Sequence, residues 1–446
     1  MKIQAQKGQL QGHIVVPGSK SHTIRALILA AMAEGVSYIK NPLPSNDCIS
    51  TLNAIQKIGA KLIKKEFQGS EEVWVIQGAG KNLHLPEGPI DVGNSGSLMY
   101  FLCPVLSTLS GECLFTGDES ICTRPVGHLL DALAQFGAKA ESVQKPLCPP
   151  FKFSGPIDIS KKLITDGKLS QYISGFMMAA SRTNGVLNME LKDPKETPYL
   201  TMTKLWLDFV GVESSISSDF KNISVKGPVE IKGFTKSIPS DWEGVAFPLI
   251  AALISNSTVT VDNIDFSGSQ GDDKIVEVLS SVGADITMDK EAQTLTVKSG
   301  SLLSTESLPN KTLTVNISSF PDAICALCVM ACFIEGTTVI TDVEICRKKE
   351  TDRIVAMCSE LTKLGADIKE YGDSVIIKGK QGGVQLHGGT VESYKDHRIA
   401  MSISCLALGL KSGESVIIND AECASVSFPE YYEKMNKLGA GYKSLS

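Results

Sequence analysis

The sequence predicts a mixed α/β (α+β) protein built from six repeats, which suits two globular lobes of three repeats each. The first observation is a segment of the form apolar-x-x-apolar-Gly-Ala/Val that recurs six times: Ile55-Gln-Lys-Ile-Gly59-Ala, Leu133-Ala-Gln-Phe-Gly137-Ala, Leu207-Asp-Phe-Val-Gly211-Val, Leu279-Ser-Ser-Val-Gly283-Ala, Leu361-Thr-Lys-Leu-Gly365-Ala and Met435-Asn-Lys-Leu-Gly439-Ala. The second is its spacing: the glycines lie 78, 74, 72, 82 and 74 residues apart, so units averaging 76 residues account for the whole chain of 446. The third is what surrounds each copy, an amphipathic helical pattern before it and, after most copies, a short alternating strand. A period near 76 is long for a solenoid, and an even count fits paired lobes better.

Each repeated segment ends a helix, because its apolar residues fall at i, i+3 and i+4 and its Gly sits where a left-handed residue is cheapest. Strands are expected at Ala138-Lys-Ala-Glu, Ala366-Asp-Ile-Lys-Glu, 72–76, 258–261, 294–297 and 374–377, where apolar and polar residues alternate. The turn-rich stretches Pro17-Gly18-Ser19 and Ser237-Ile-Pro239-Ser-Asp241 are the points where the chain crosses between lobes, and three of the repeats lie between them. A ligand is expected where two such lobes meet.

Composition narrows the function. With 43% hydrophobic and 21% charged residues, the chain is neither disordered, collagen-like nor coiled-coil. A formal charge of −6 argues against non-specific binding to nucleic acid or to an anionic membrane, so a bound anion must be met by a local cluster of Arg and Lys. The N-terminal residues carry no apolar signal region, and apolar stretches such as 247–254 are too short to span a bilayer. The expectation is a cytoplasmic protein whose 12 Cys are reduced. Cys325, Cys328 and Cys332 share an apolar helical run with no second ligand pair, so no metal site is expected there.

Several segments carry residues suited to chemistry. In Pro17-Gly18-Ser19-Lys20-Ser21-His22-Thr23-Ile24-Arg25, a Gly-Ser turn opens a helix beside two cations; it either binds an anion or simply caps the helix. The nucleotide P-loop spacing is absent. Gly93-Asn94-Ser95-Gly96-Ser97 is a second glycine turn ahead of an apolar helix, again either a ligand loop or a tight cap. Arg124 precedes Pro125, which suits the first position of a helix, and Cys122 has no His at a recognisable spacing to activate it. Ser170 and Gln171 open a helix of small residues and are capping types in isolation. The densest group is C-terminal: Asp322 after Pro321, then Arg347-Lys-Lys349-Glu350-Thr-Asp352-Arg353, then Asp396-His-Arg398, each cluster expected to open a helix whose remainder is apolar. Carboxylates set among Arg and Lys suit proton transfer on an anionic substrate, since the cations bind charge while the carboxylates move protons.

In order along the chain, these motifs read Pro-Gly-Ser-Lys-Ser-x3-Arg-Ala-Leu, Gly-Asn-x-Gly-x, Arg-Pro-x-x-x-Leu, Ser-Gln-Tyr, Pro-Asp, Lys-Glu-Thr-Asp-Arg-Ile, Asp-His-Arg-Ile-Ala-Met and Ser-Phe-Pro. That succession resembles the 5-enolpyruvylshikimate-3-phosphate (EPSP) synthase family over essentially the full chain. The resemblance implies a two-lobed enolpyruvyl transferase fold of six βαβαββ repeats, three per lobe, an inside-out α/β barrel. It implies a discontinuous C-terminal lobe, 1–17 plus 240–446, an N-terminal lobe, 18–239, and a ligand cleft between them. It also implies a monomeric enzyme of the shikimate pathway that needs no metal or other cofactor. Such an enzyme moves the enolpyruvyl group of phosphoenolpyruvate (PEP) to shikimate 3-phosphate through a tetrahedral intermediate. Carried over by position, Lys20, Gly96, Arg124, Gln171, Arg353 and Arg398 are PEP ligands. Asp322 is the base for the acceptor hydroxyl, and Glu350 with Lys20 handles the proton at the PEP methylene. Ser21, Arg25, Ser170, Gln171, Tyr199, Asp322 and Lys349 hold the acceptor ring and its phosphate.

The chain also departs from the family pattern. Tyr100 stands where an Arg closes the second motif, Val426 where a Lys precedes Ser-Phe-Pro, Leu169 where a Ser precedes Ser170, Glu196 where a Ser precedes the Pro-Tyr pair, and Ile345 where an Asn is usual. A charged hydrogen bond contributes roughly 1.5–3 kcal/mol, so losing two cations removes about 3–6 kcal/mol, on the order of 10²–10⁴ in affinity or rate. Three functions are therefore weighed: the family reaction itself, the same fold and acid/base pair acting on another sugar or cyclitol with PEP or a different donor, and a non-catalytic ligand-binding paralogue.

Overall fold

In the computed structural model, residues 1–68 and 71–445 are described, and they form two compact units. One comprises Met1–Pro17 with Ser240–Ser446, the other Gly18–Pro239. Among the described residues there are six four-stranded sheets, three in each unit. All have one plan: the first strand runs parallel to the second, and the last two follow antiparallel, as in the sheet of Lys162–Thr165, Gly185–Leu191, Asn222–Gly227 and Ser214–Ile216. A parallel pair needs a crossover, and in four of the six sheets a buried helix joins the two parallel strands directly.

The β-α-β-α-β-β order is continuous in the repeats that start at Ile90, Lys162 and Thr312. In the other three, a distant strand completes the sheet. Thr235–Ser237 pairs with Val36–Lys40, Gln11–Val15 pairs with Thr258–Asp262, and Lys2–Gln6 pairs with Ser415–Asn419. The first two strands of the chain are thereby held in the C-terminal unit by main-chain hydrogen bonds.

Each repeat contributes two kinds of helix. One is buried nearly all round: Lys20–Met32, Gly96–Leu106, Ser170–Ala180, Trp242–Ile254, Ile324–Ala331 and His397–Ala407. A helix without a polar face must lie inside. In the C-terminal unit its three buried helices pack against one another; in the N-terminal unit Gly96–Leu106 packs against the other two. At Gly175 a Cβ would stand 2.2 Å from the Tyr100 carbonyl oxygen, so those two backbones touch and only glycine fits. The sheets lie around these helices with one face inward, as the alternating burial of Thr294–Val297 and Ser415–Asn419 records. Cys325 and Cys328 lie inside the buried helix Ile324–Ala331 and Cys332 just past its end, and burial pushes all three thiols up.

The second helix of each repeat is amphipathic and ends at the recurrent glycine. All six glycines have positive φ: Gly59 +105°, Gly137 +90°, Gly211 +80°, Gly283 +102°, Gly365 +90° and Gly439 +109°. The expected strands also form, as Lys139–Ser142, Asp367–Glu370, Glu71–Gln77, Thr258–Asp262, Thr294–Val297 and Ser374–Gly379. Two local expectations are corrected. Pro125 does not start a helix: the helix is Gly127–Gln135, because Val126 at its cap has a non-helical backbone, φ −118° and ψ 14°. Arg353 opens not an apolar helix but the amphipathic Arg353–Lys363, whose Val355 is exposed. No helix among the described residues is long and apolar enough to cross a membrane.

Candidate active site

Several of the polar residues singled out by sequence, Lys20, Gly96, Ser170, Asp322 and Arg398 among them, lie at or beside the starts of the buried helices, where backbone N–H groups have no intrahelical acceptor. In the N-terminal unit, Lys20 opens Lys20–Met32 with its ammonium 3.5 Å from an Asp47 carboxylate oxygen, and Ser19 caps with backbone only. Arg25, one turn on, has 0% exposure. Its guanidinium donates to the Thr203 hydroxyl at 2.8 Å, the Ser21 carbonyl at 3.0 Å and the Tyr199 carbonyl at 3.2 Å, and stacks on the Phe101 ring. No carboxylate neutralises it among the described residues, and burial lowers its pKa.

The glycine turn is tied to two of its predicted partners. Ser95 caps Gly96–Leu106 by accepting from the Leu98 N–H at 3.2 Å. Asn94 accepts from Arg124 and donates to Asp118 at 2.7 Å, and Gln171 donates to the Ser97 hydroxyl at 3.0 Å. Gly96, Arg124 and Gln171 are thus brought to one place. Tyr100, buried one turn further on, donates to the Pro125 carbonyl at 3.3 Å and packs on His128, which packs in turn on Tyr172. Burial pushes its hydroxyl well above the ordinary tyrosine range, so a neutral ring fills the position. Leu169, at the cap position of Ser170–Ala180, provides no side-chain acceptor. Glu196 provides one instead: its carboxylate accepts from the Ser170 N–H at 3.1 Å and the Ser170 hydroxyl at 2.9 Å.

The C-terminal unit holds a crosslinked ion network. Arg353, 0% exposed, donates to Asp322 at 2.6 Å, Glu350 at 2.6 Å and Asp396 at 2.8 Å. Arg398 pairs with Glu243 and lies 3.2 Å from Asp322, while Lys349 lies 3.4 Å from it. Asp322, Lys349, Glu350, Arg353 and Arg398 therefore converge as one cluster. Burial by itself raises the Asp322 pKa; Lys349, Arg398 and Arg353 overcome this and hold the carboxyl well below the usual range. Burial likewise opposes the charge of both arginines, and the surrounding carboxylates more than restore it. Asp352 and Asp396 act as caps, accepting from the N–H groups of Ile354, Val355 and Arg398. The flanking Arg347 pairs with Asp352 and Glu370.

Two positions stay outside this cluster. Ile345 packs against the apolar core, and Val426 ends the short turn Ala421–Val426 with an uncharged, half-buried side chain. Two carboxylates that belong to the network were missed. Glu243, on the first turn of Trp242–Ile254, pairs with Arg398, and buried Asp272 has a carboxyl raised by burial and by nearby Glu243 and Asp322. A signal for Glu243 existed: five of the six buried helices had been flagged at their starts, and it lies at the sixth.

The EPSP synthase (3-phosphoshikimate 1-carboxyvinyltransferase) family matches residues 4–435. A 3-phosphoshikimate 1-carboxyvinyltransferase of Ruminiclostridium cellulolyticum is 35% identical over 439 residues, covering 98% of this chain and 99% of the relative. One from Methanosarcina acetivorans is 34% identical and covers 100% of both. The solved EPSP synthase of Acinetobacter baumannii superposes with a TM-score of 0.80 at 27% identity, covering 99% of each chain.

Proposed function

This chain belongs to the EPSP synthase family, and on that premise we propose that it transfers the enolpyruvyl group of PEP to the 5-hydroxyl of shikimate 3-phosphate, releasing phosphate. The supporting observation is Asp322, a partly buried carboxylate held ionised by Arg353, Arg398 and Lys349. When an anionic donor draws the two arginines toward itself, Asp322 loses the cations that depress its proton affinity. It becomes a stronger base as the acceptor hydroxyl arrives. Asp322 takes the hydroxyl proton, the acceptor oxygen bonds to C2 of PEP, and Glu350 or Lys20 delivers a proton to C3. The tetrahedral adduct then loses a C3 proton as the C2–O bond to phosphate breaks.

Lys20, Gly96, Arg124, Gln171, Arg353 and Arg398 serve the donor in this reading. Ser21, Arg25, Ser170, Gln171, Tyr199, Asp322 and Lys349 serve the acceptor. The test is phosphate release on mixing the protein with PEP and shikimate 3-phosphate. Release that depends on both substrates is expected; none at millimolar substrate and high enzyme concentration rejects the reading.

A further inference from the structure

The acceptor side of the N-terminal unit contains an anion of its own. The parallel strands Lys162–Thr165 and Gly185–Leu191 continue their pairing into the loops beyond them. The Lys192 N–H donates to the Thr165 carbonyl at 3.0 Å, Asp193 to Asp166 at 2.7 Å, and Lys195 to Gly167 at 3.1 Å. This zipper sets residue 196 beside the start of Ser170–Ala180. The following helix, Thr197–Phe209, is anchored in turn by the Arg25 guanidinium on the Tyr199 carbonyl.

Glu196 is therefore fixed where it is, 2% exposed, with φ +51° in the left-handed region that favours glycine. Its carboxylate takes the Ser170 N–H and hydroxyl, the donors a phosphate oxygen would use at a helix start. A second anion at those donors must displace the first or share a buried site with it, and like charges at close range repel.

We propose that Glu196 is an internal occupant of the acceptor's phosphate position, a specificity-determining carboxylate. It makes this chain discriminate weakly between phosphorylated and unphosphorylated acceptors. The proposal rests on the assignment of Ser170 and Tyr199 to the acceptor above. An acceptor ring without a phosphate brings no second anion to these donors and meets no such conflict.

The test is calorimetric binding of shikimate 3-phosphate and of unphosphorylated shikimate to the full chain and to its Glu196→Ser and Glu196→Gln variants. Both variants are expected to tighten shikimate 3-phosphate by about tenfold or more and to change shikimate by less than about twofold. The Gln variant keeps an acceptor for Ser170 and carries the test if the Ser variant does not fold. Unchanged or weaker binding of the phosphorylated ligand, or equal tightening of both ligands, overturns the proposal, as does binding of neither ligand by any form. Phosphate release is scored separately. Selective tightening without turnover in any form leaves Glu196 in its role and rejects the transferase reading, whereas turnover without selective tightening does the reverse.

Discussion

The two fully buried arginines, one in each unit, are held in opposite ways. Around Arg25 in the N-terminal unit the partners are hydroxyls, carbonyls and the Phe101 ring, so the buried cation is stabilised by neutral groups. Around Arg353 in the C-terminal unit the partners are Asp322, Glu350 and Asp396, and every charge is answered by an opposite one. A cation solvated by neutral groups keeps its attraction for an incoming anion. A cation inside a carboxylate network gives up some of that attraction, and in exchange it controls the proton affinity of the carboxylates. The first arrangement suits holding a substrate, the second suits moving its protons.

The sharpest way to break this contrast is Asp322→Asn, which keeps the shape and removes the base. A fall of about 10²–10⁴ in kcat with little change in KM for either substrate is expected from steady-state phosphate release. A proportional rise in KM instead would make Asp322 a binding group like its counterparts in the other unit. Next is the paired substitution of the two buried arginines by methionine. Arg353→Met leaves three carboxylates without their shared cation and should destabilise by about 3–5 kcal/mol in urea unfolding. Arg25→Met strands only neutral acceptors and should lose about 1–3 kcal/mol. Equal losses would mean that the carboxylates contribute nothing particular to the C-terminal unit.

The smallest effect concerns pH. The Asp322 pKa is lowered in the folded state, so its contribution to stability is fully present above the unfolded-state value of about 3.9 and disappears as pH falls through the folded value. The stability difference between the protein and Asp322→Asn should be constant from about pH 8 to 5 and should shrink below about pH 4. Denaturant midpoints across that range measure it, and a difference that grows on acidification contradicts the ion network.

Much of the candidate site is legible in the sequence because its residues are punctuation. Lys20, Gly96, Ser170, Asp322 and Arg398 each lie at or beside the start of an apolar helix, and such a start shows in the sequence as a polar cluster before an apolar run. Glu243 was not legible as a ligand of Arg398, because 155 residues separate them and no pattern links the two. The role of Asp272 depends on burial beside Glu243 and Asp322, which composition cannot supply. The departures Tyr100 and Glu196 were visible as substitutions, but what they do was not. Tyr100 proved to pack in an aromatic stack and Glu196 to bind the Ser170 helix start, and both facts come from neighbours distant in sequence.

By itself the sequence determined the six units, the glycine that ends a helix in each, the alternating strands and the polar helix starts. These are local matters: a left-handed residue, a period of 3.6 or 2, and a cap are settled within a few residues of chain. Only the tertiary structure decided which strand completes each sheet, which carboxylate faces which arginine, and that the Glu196 carboxylate accepts from the Ser170 helix start. Those outcomes depend on distances of a few ångströms between residues far apart in the chain, because charge interactions fall off with separation in space and are indifferent to separation in sequence.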